Sequence, residues 1–297
     1  MAEQSTPTIA FLGTGLMGEP MCHNLLKAGL ALTVWNRSPE KIKRLAKRGA
    51  EVADSPHDAV VGANVVITML SDGPAVTDLI FDRGVADKIA GGATRIDMGS
   101  IGANEAIDHA KRHAKRGVRY LDAPVSGGTK GAAAGELAIM AGGGAATFAA
   151  MQPIFATLGR ATHVGPNGSG QLAKLANQII VAITIGAVGE ALILASGGGA
   201  DRAKVREALQ GGFASSRILT EHGQRMVDRA FDPGGPARFQ LKDLHNALSA
   251  ADRLDLDLPI TRLLHGLFDD MVQSGKGDMD HSGLLTHLEA LNNITGN

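Results

Sequence analysis

The chain has 297 residues, 44% of them hydrophobic and 20% charged, with 29 Lys and Arg set against 30 Asp and Glu for a formal net charge of −1. That length predicts about two domains, each able to bury a core, and the balanced charge offers no basic field for nucleic acid or an anionic membrane. One Trp and one Tyr leave no stacking platform for single strands, and the lone Cys22 cannot close a disulfide within the chain, which fits a reducing, cytoplasmic setting.

Residues 2–7 have neither the basic start nor the apolar run of a secretory signal, in keeping with that setting. An apolar strand at 8–12 then runs directly into Gly13-Thr14-Gly15-Leu16-Met17-Gly18, a G-x-G-x-x-G turn that opens a helix. Strand before and helix after make this the pattern of a dinucleotide-binding βαβ unit. Gly13 serves the tight turn, Gly15 the close approach of backbone to a pyrophosphate, and Gly18 the packing of helix on strand. The phosphates would sit on the helix N-terminus, where N–H groups and the dipole favour negative charge.

A second strand is predicted at 31–35. It ends in Trp35-Asn36-Arg37-Ser38, where an NAD-binding unit ordinarily carries an Asp or Glu for the ribose 2′-OH. Asn36 does not repel a 2′-phosphate, and Arg37 and Ser38 can donate to one. The expectation is therefore NADPH in preference to NADH.

Ser38-Pro39 and Ser55-Pro56 each read as an N-cap with proline in the first helical position, starting helices that end near residues 48 and 62. The apolar run 65–70 is a strand buried on both faces. Further strands are predicted at 94–97, 119–122, 137–141 and 161–164, and helices at 104–116 and 145–158. His109 and His113 stand at i, i+4 among Lys111, Arg112, Lys115 and Arg116 with no H-E-x-x-H motif, so the expectation is a solvated helix face and no metal.

Gly165-Pro166-Asn167-Gly168 is a turn-rich break. Beyond it the signals are helical, at 169–196 with a stop at Gly197-Gly198-Gly199, then 201–210, 214–229, 239–254, 259–274 and 281–292. The fold expected is α/β: a Rossmann-type, doubly wound, mainly parallel sheet over 1–166, followed by an all-α domain over 167–297. Residues 175–189 carry no charge, but they include Asn177 and Gln178, are bounded by Lys174 and Glu190, and fall short of the roughly 20 apolar residues a bilayer requires. No membrane is expected. A helix apolar nearly all round calls instead for burial on most faces, hence a homodimer or homotetramer.

Two stretches carry candidate chemistry. Lys174, Asn177 and Gln178 lie at i, i+3 and i+4, so one helix face presents an ammonium and two amides. When hydride reduces a carbonyl, an alkoxide must be stabilised and protonated; Lys174 is the candidate general acid, and the base of the reverse oxidation, with Asn177 orienting the substrate oxygen. Ser126-Gly127-Gly128 follows the strand ending at Asp122, at the carboxyl end where α/β sheets bind ligands. Its N–H groups and the Ser126 hydroxyl suit a substrate carboxylate. Without a G-x-S-x-G elbow, Ser126 is no nucleophile.

Four segments together carry a resemblance: residues 13–24, Asp122-Ala123-Pro124-Val125-Ser126-Gly127-Gly128, Gly168-Ser169-Gly170-Gln171-Leu172-Ala173-Lys174-Leu175-Ala176-Asn177-Gln178, and Lys242-Asp243-Leu244. Over essentially its whole length the chain resembles the β-hydroxyacid dehydrogenase family, which implies the two-domain plan and reversible reduction of short aldehyde acids to hydroxy acids with a nicotinamide cofactor. It implies cofactor contacts from Leu16, Met17, Met69, Leu70, Ser100 and Lys242, a substrate role for Ser126, Gly127, Gly128, Asn177 and Gln178, and Asp243 as the residue that orients Lys242. Within the family, residues 174–182, Gly211-Gly212-Phe213-Ala214-Ser215-Ser216, Phe231-Asp232-Pro233-Gly234 and Asp280-His281-Ser282 resemble the branch that acts on tartronate semialdehyde. Gly234-Gly235-Pro236-Ala237-Arg238 departs from the more regular Gly-Phe-Arg run, which leaves that loop's geometry open.

The 3-hydroxyisobutyrate dehydrogenases and broader semialdehyde or glyoxylate reductases differ from that branch by pocket changes worth about 1–3 kcal/mol. A 6-phosphogluconate dehydrogenase has a much larger second half. A silent nucleotide-sensing domain is the reading from another class, against which the complete set of Lys174, Asn177 and Lys242 argues. His281 either borders the pocket or caps the last helix.

Overall fold

The computed structural model describes residues 7–294; most of the segment read for a secretory signal lies outside the described residues, as do 295–297. The chain forms two compact units, Met1–Lys174 and Leu175–Asn297. They divide inside one continuous helix, eight residues beyond the break at Pro166 expected from the sequence.

In the first unit, β1 (Ile9–Leu12), α1 (Gly18–Lys27), β2 (Leu32–Trp35), α2 (Lys43–Ala46), β3 (Glu51–Val52), α3 (Pro56–Val60), β4 (Val65–Thr68), α4 (Gly73–Thr77), β5 (Thr94–Asp97), α5 (Ala103–Ala114) and β6 (Arg119–Asp122) come first. They are followed by β7 (Val125–Ser126), α6 (Gly128–Ala134), β8 (Leu137–Gly143), α7 (Ala145–Leu158) and β9 (Gly159–Gly165). The sheet order is β3-β2-β1-β4-β5-β6-β8-β7, with β9 beside β8. Strands β3 to β6 of that order are mutually parallel; β8 runs antiparallel to β6 and β7.

Alternate strand residues serve opposite layers, as the pleat demands. Ile9 and Phe11 pack with Met21, Cys22 and Leu25 of α1 and Phe155 of α7, whereas Ala10 and Leu12 pack with Val60, Val76 and Ile80 on the other face. Burial on both faces is why these strands read as unbroken apolar runs.

Three local readings need correction. The helix expected after Ser38-Pro39 is a 3₁₀ turn, Pro39–Lys41, followed by the single turn of α2. The α4 helix runs on into a π turn, Asp78–Asp82, that the sequence reading passed over. His109 and His113 do not lie on a solvated face: both are buried, stacked around Phe81 and Tyr120, while Lys111, Lys115 and Arg116 take the exposed side of α5. They fall on the Ala103, Ala106 stripe, and helical period outweighs the charge of their neighbours. Burial first, and the Arg95 guanidinium second, lower the His109 imidazole to about 3 and the His113 imidazole to about 2, so both are neutral at physiological pH.

The second unit is all helical: α8 (Ser169–Gly197, from Leu175 onward), α9 (Arg202–Leu209), α10 (Arg217–Asp228), α11 (Ala237–Asp252), α12 (Pro259–Met271) and α13 (Leu284–Leu291). Its core gathers Ile185 and Leu192 of α8 with Met226, Leu244, Phe268, Leu285 and Leu288. Ile180 and Leu194 of α8 stay 65% and 79% exposed.

Candidate active site

Strand order reverses between β1 and β4, the switch point where open α/β sheets bind ligands. The Gly13–Gly18 loop leaves β1 at that point. Gly13 N–H donates to the Trp35 carbonyl at 2.9 Å, and Met69 N–H to the Leu12 carbonyl at 3.0 Å, so the ends of β1, β2 and β4 are tied side by side. Gly13 has φ +102°, and a Cβ there would lie 2.4 Å from the Met69 carbonyl oxygen; a Cβ on Gly18 would lie 2.0 Å from the Gly13 carbonyl oxygen. Gly15, by contrast, faces open space. Two glycines close the loop onto the protein and the middle one opens it outward, while no side chain caps the first turn of α1. That cradle fits a pyrophosphate.

Beside it, Asn36 braces two loops, accepting from Thr14 N–H at 3.0 Å and donating to the Ser38 carbonyl at 3.1 Å. Arg37, Ser38 and Leu16 are exposed, and Met17, Met69, Leu70 and Ser100 are half-buried along the same edge of the sheet. These residues stand at or just beyond the carboxyl ends of β1, β2, β4 and β5.

Ser126 belongs to a strand of its own, which the sequence reading missed. Val125 and Ser126 pair with Ile139 and Ala138 of β8, after which Gly127 (φ +137°) and Gly128 (φ +61°) turn the chain into α6. Gly127 lies against Leu137 whereas Gly128 faces open space, and no side chain caps α6. Backbone N–H groups beside a half-buried serine are what a carboxylate needs.

The start of α8 is anchored by residues absent from the expected site. Each oxygen of buried Asp122 accepts one backbone N–H, from Gly168 at 2.8 Å and from Gln171 at 3.0 Å. Burial pushes the Asp122 carboxyl up to about 6, against the lowering effect of those bonds. Buried Gln171 bridges the segment after β5, donating to the Gly99 carbonyl at 2.9 Å and accepting from Ile101 N–H at 3.1 Å. Beneath that segment Asp97 accepts from Gly99 N–H at 3.3 Å and pairs with fully buried Arg95 at 3.1 Å. Asp122 and Gln171 stand inside motifs quoted above, but nothing in a motif shows that residues nearly fifty positions apart share a bond. Lys174, half-buried, follows Gln171 by one turn.

In the second unit, Asn177 donates to Gln178 Oε1 at 2.9 Å, and Gln178 Nε2 donates to Asp243 at 2.7 Å and to Gln240 at 3.4 Å. Asp243 also holds the Lys242 ammonium at 3.2 Å. The Gln178 amide is therefore engaged by protein on both ends, which makes it a brace for Asn177 and Asp243. Lys242 lines a cavity of about 400 Å³ with Arg238, Leu241, His245, His265 and Asp269. His281 opens the turn before α13, meets His222 Nε2 to Nε2 at 3.3 Å, and approaches Gln240 at 3.4 Å. His222, Asp280 and His281 form the one group of three metal-capable side chains found among the described residues. The Asp280 oxygens there are taken by backbone N–H groups of Gly234, Gly235 and Ser282 and by the Ser282 hydroxyl.

Comparison with known proteins matches residues 8–165 to the NAD binding domain of 6-phosphogluconate dehydrogenase and residues 168–288 to the NAD-binding domain of NADP-dependent 3-hydroxyisobutyrate dehydrogenase. The chain is 43% identical to the 2-hydroxy-3-oxopropionate reductase of Escherichia coli, over 96% of this chain and 98% of that one. It belongs to the β-hydroxyacid dehydrogenase family, of the 3-hydroxyisobutyrate dehydrogenase-like type. This β-hydroxyacid dehydrogenase is accordingly an NAD(P)-dependent oxidoreductase. It is 36% identical to 3-hydroxyisobutyrate dehydrogenase of Pseudomonas aeruginosa, over 93% of this chain and 95% of that one. Among solved structures, the Mycobacterium tuberculosis 3-hydroxyisobutyrate dehydrogenase with L-serine aligns at TM-score 0.88 and 30% identity, over 95% of this chain and 99% of that one.

Proposed function

We propose that this β-hydroxyacid dehydrogenase reduces tartronate semialdehyde (2-hydroxy-3-oxopropanoate) to glycerate, preferring NADPH. The observation that carries the substrate is the 43% identity to a 2-hydroxy-3-oxopropionate reductase along almost the whole chain. Gly13, Gly15 and Gly18 with the N-terminus of α1 hold the pyrophosphate, and Leu16, Met17, Met69, Leu70 and Ser100 border the rest of the cofactor. Arg37 and Ser38, exposed at a β2 terminus that carries no carboxylate, take the 2′-phosphate, with Asn36 setting their loop. Bound nicotinamide supplies the hydride.

The remaining steps belong to the protein. Ser126 with the N–H groups of Gly127 and Gly128 grips the substrate carboxylate, and Asn177, braced by Gln178, orients the reacting oxygen. Lys174 Nζ gives that oxygen its proton and takes it back in the reverse oxidation, a role worth about 10²–10⁴ in rate. Lys242, steadied by Asp243, adds a contact to the cofactor. The exposed apolar residues Ile180 and Leu194 of α8 support a homo-oligomer; a monomer by sedimentation would refute it.

The test is steady-state kinetics on a panel of tartronate semialdehyde, the semialdehyde of 3-hydroxyisobutyrate, succinic semialdehyde and glyoxylate, with both cofactors. Tartronate semialdehyde should give the highest kcat/KM, Lys174→Ala should lower kcat at least about 100-fold with cofactor still bound, and Arg37→Ala should reduce the NADPH preference about tenfold. A higher kcat/KM for the 3-hydroxyisobutyrate semialdehyde would move the assignment to that dehydrogenase. A Lys174→Ala variant within tenfold of wild type would remove Lys174 as the acid.

A further inference from the structure

We propose that Asp122 and Gln171 are positioning residues for proton transfer, fixing the rotation and height of the first turn of α8 and with them the place of Lys174. The inference rests on the reading of Lys174 as the acid and deepens it.

Helix first turns leave N–H groups with no partner in the helix. Here two of the N–H groups at the start of α8, those of Gly168 and Gln171, are taken by a carboxylate from the end of β6, at 2.8 and 3.0 Å. A local Ser or Asp cap would satisfy the same groups and leave the helix free to move as a body, whereas Asp122 ties them to the sheet. Gly170 fixes the height. A Cβ there would lie 2.4 Å from both the Asp122 and Met140 carbonyl oxygens, so the helix backbone rests directly on β6 and β8.

Gln171 fixes the rotation. Its amide uses both ends, on the Gly99 carbonyl and Ile101 N–H, in the manner of one more strand beside β5. Lys174 is three residues on, about 60° round the axis and about 4.5 Å along it. It therefore leaves the helix on nearly the side that Gln171 turns towards Gly99 and Ile101, with Ser100 between them. A turn of about 20° at the root would carry a group about 8 Å from the axis through about 3 Å, and misplacements near 1 Å cost about 10²-fold in rate.

The neighbouring Arg95–Asp97 pair extends the same anchor downward. Asp97 holds Gly99 N–H from below while Gln171 holds the Gly99 carbonyl from above. The segment is gripped on both sides by buried side chains.

A double-mutant cycle between residues 171 and 174 decides the matter. Gln171→Leu removes both amide bonds at similar volume; kcat should fall about 100-fold while the NADPH dissociation constant, read by cofactor fluorescence, stays within twofold. Added to Lys174→Ala, the same substitution should lower the residual single-turnover rate by less than twofold, because a residue that only places Lys174 has nothing left to place. The proposal is overturned if Gln171→Leu keeps kcat within threefold of wild type, or if it costs its full factor again in the Lys174→Ala background. Failure of the Lys174 reading shows separately, as a Lys174→Ala rate within tenfold of wild type. Should Gln171→Leu not melt cooperatively, Asp122→Asn takes its place in the cycle, keeping size and one acceptor, with an expected loss in kcat of about tenfold and the same non-additivity.

Discussion

Asp122 in the first unit and Asp280 in the second are both buried and both accept backbone N–H groups from turns far from them in sequence, yet their charges are balanced differently. Asp280 takes the N–H groups of Gly234 and Gly235 on one oxygen and the Ser282 N–H and hydroxyl on the other, with Arg225 at 3.5 Å and His222 at 3.6 Å. Burial alone would raise its carboxyl, but His222, His281 and Ser282 outweigh it and hold the group well below the usual carboxylate range. Asp122 has backbone bonds from Gly168, Gln171 and its own N–H but no cation among the causes that move it, and Asp97 nearby raises it further. One turn is secured by charge and the other by geometry alone. The fold tolerates an unbalanced buried carboxylate where the helix that carries Lys174 begins.

The largest way to break this contrast is Asp280→Ala. It leaves His222, Arg225 and several N–H groups unmatched, so the second unit should lose about 3–5 kcal/mol, read as a fall in its own melting transition with cofactor binding by the first unit largely preserved. Equal loss in both units would end the distinction between the anchors.

A smaller effect sharpens it. The Asp122 carboxyl stands at about 6 in the fold against an ordinary 3.8, so its protonation favours the folded state. That contribution is full below about pH 4 and is lost as pH rises through 6. Relative to Asp122→Asn, wild type should therefore gain up to about 3 kcal/mol between pH 7 and pH 4, while its kcat falls over the same interval as one of the two oxygens that accept from the Gly168 and Gln171 N–H groups becomes an O–H. Paired melts and rate profiles on both proteins read the two trends. The comparison with the variant is needed because buried His109 and His113 pull the other way, costing stability as pH drops below their ordinary value of 6.5. Trends of the same sign in stability and rate would contradict the anchor's role.

Much of the fold was legible because its signals are local. Gly13, Gly15 and Gly18 between a strand and a helix, the apolar run from Val65, and the glycines after residue 196 each carry their meaning within a few residues. What escaped depends on distance or on brevity. Two-residue β7 is too short to show a period, and the π turn after α4 obeys neither the helical nor the strand pattern. His109 and His113 were misread because Lys111 and Arg112 between them suggested water, although Ala103 and Ala106 already marked the buried stripe. At the site, Lys174, Asn177 and Gln178 share a helix and so could be seen together. That Gln178 is held by Asp243 and Gln240, and that Asp122 holds the start of α8, are facts of packing between segments 46 to 65 residues apart.

Cys22 lies fully buried under α1 against the sheet, and burial raises its thiol further from the reactive thiolate. It is the only cysteine in the chain, and none of the residues assigned to cofactor, substrate or proton transfer is a thiol. Peroxide and alkylating agents thus find no reactive thiolate to disable. Oxidisable sulfur stands instead in the thioethers of half-buried Met17, within the glycine loop, and half-buried Met69, just beyond the end of β4. Oxidative damage there would be sulfoxide formation, a lesion that reductases can reverse.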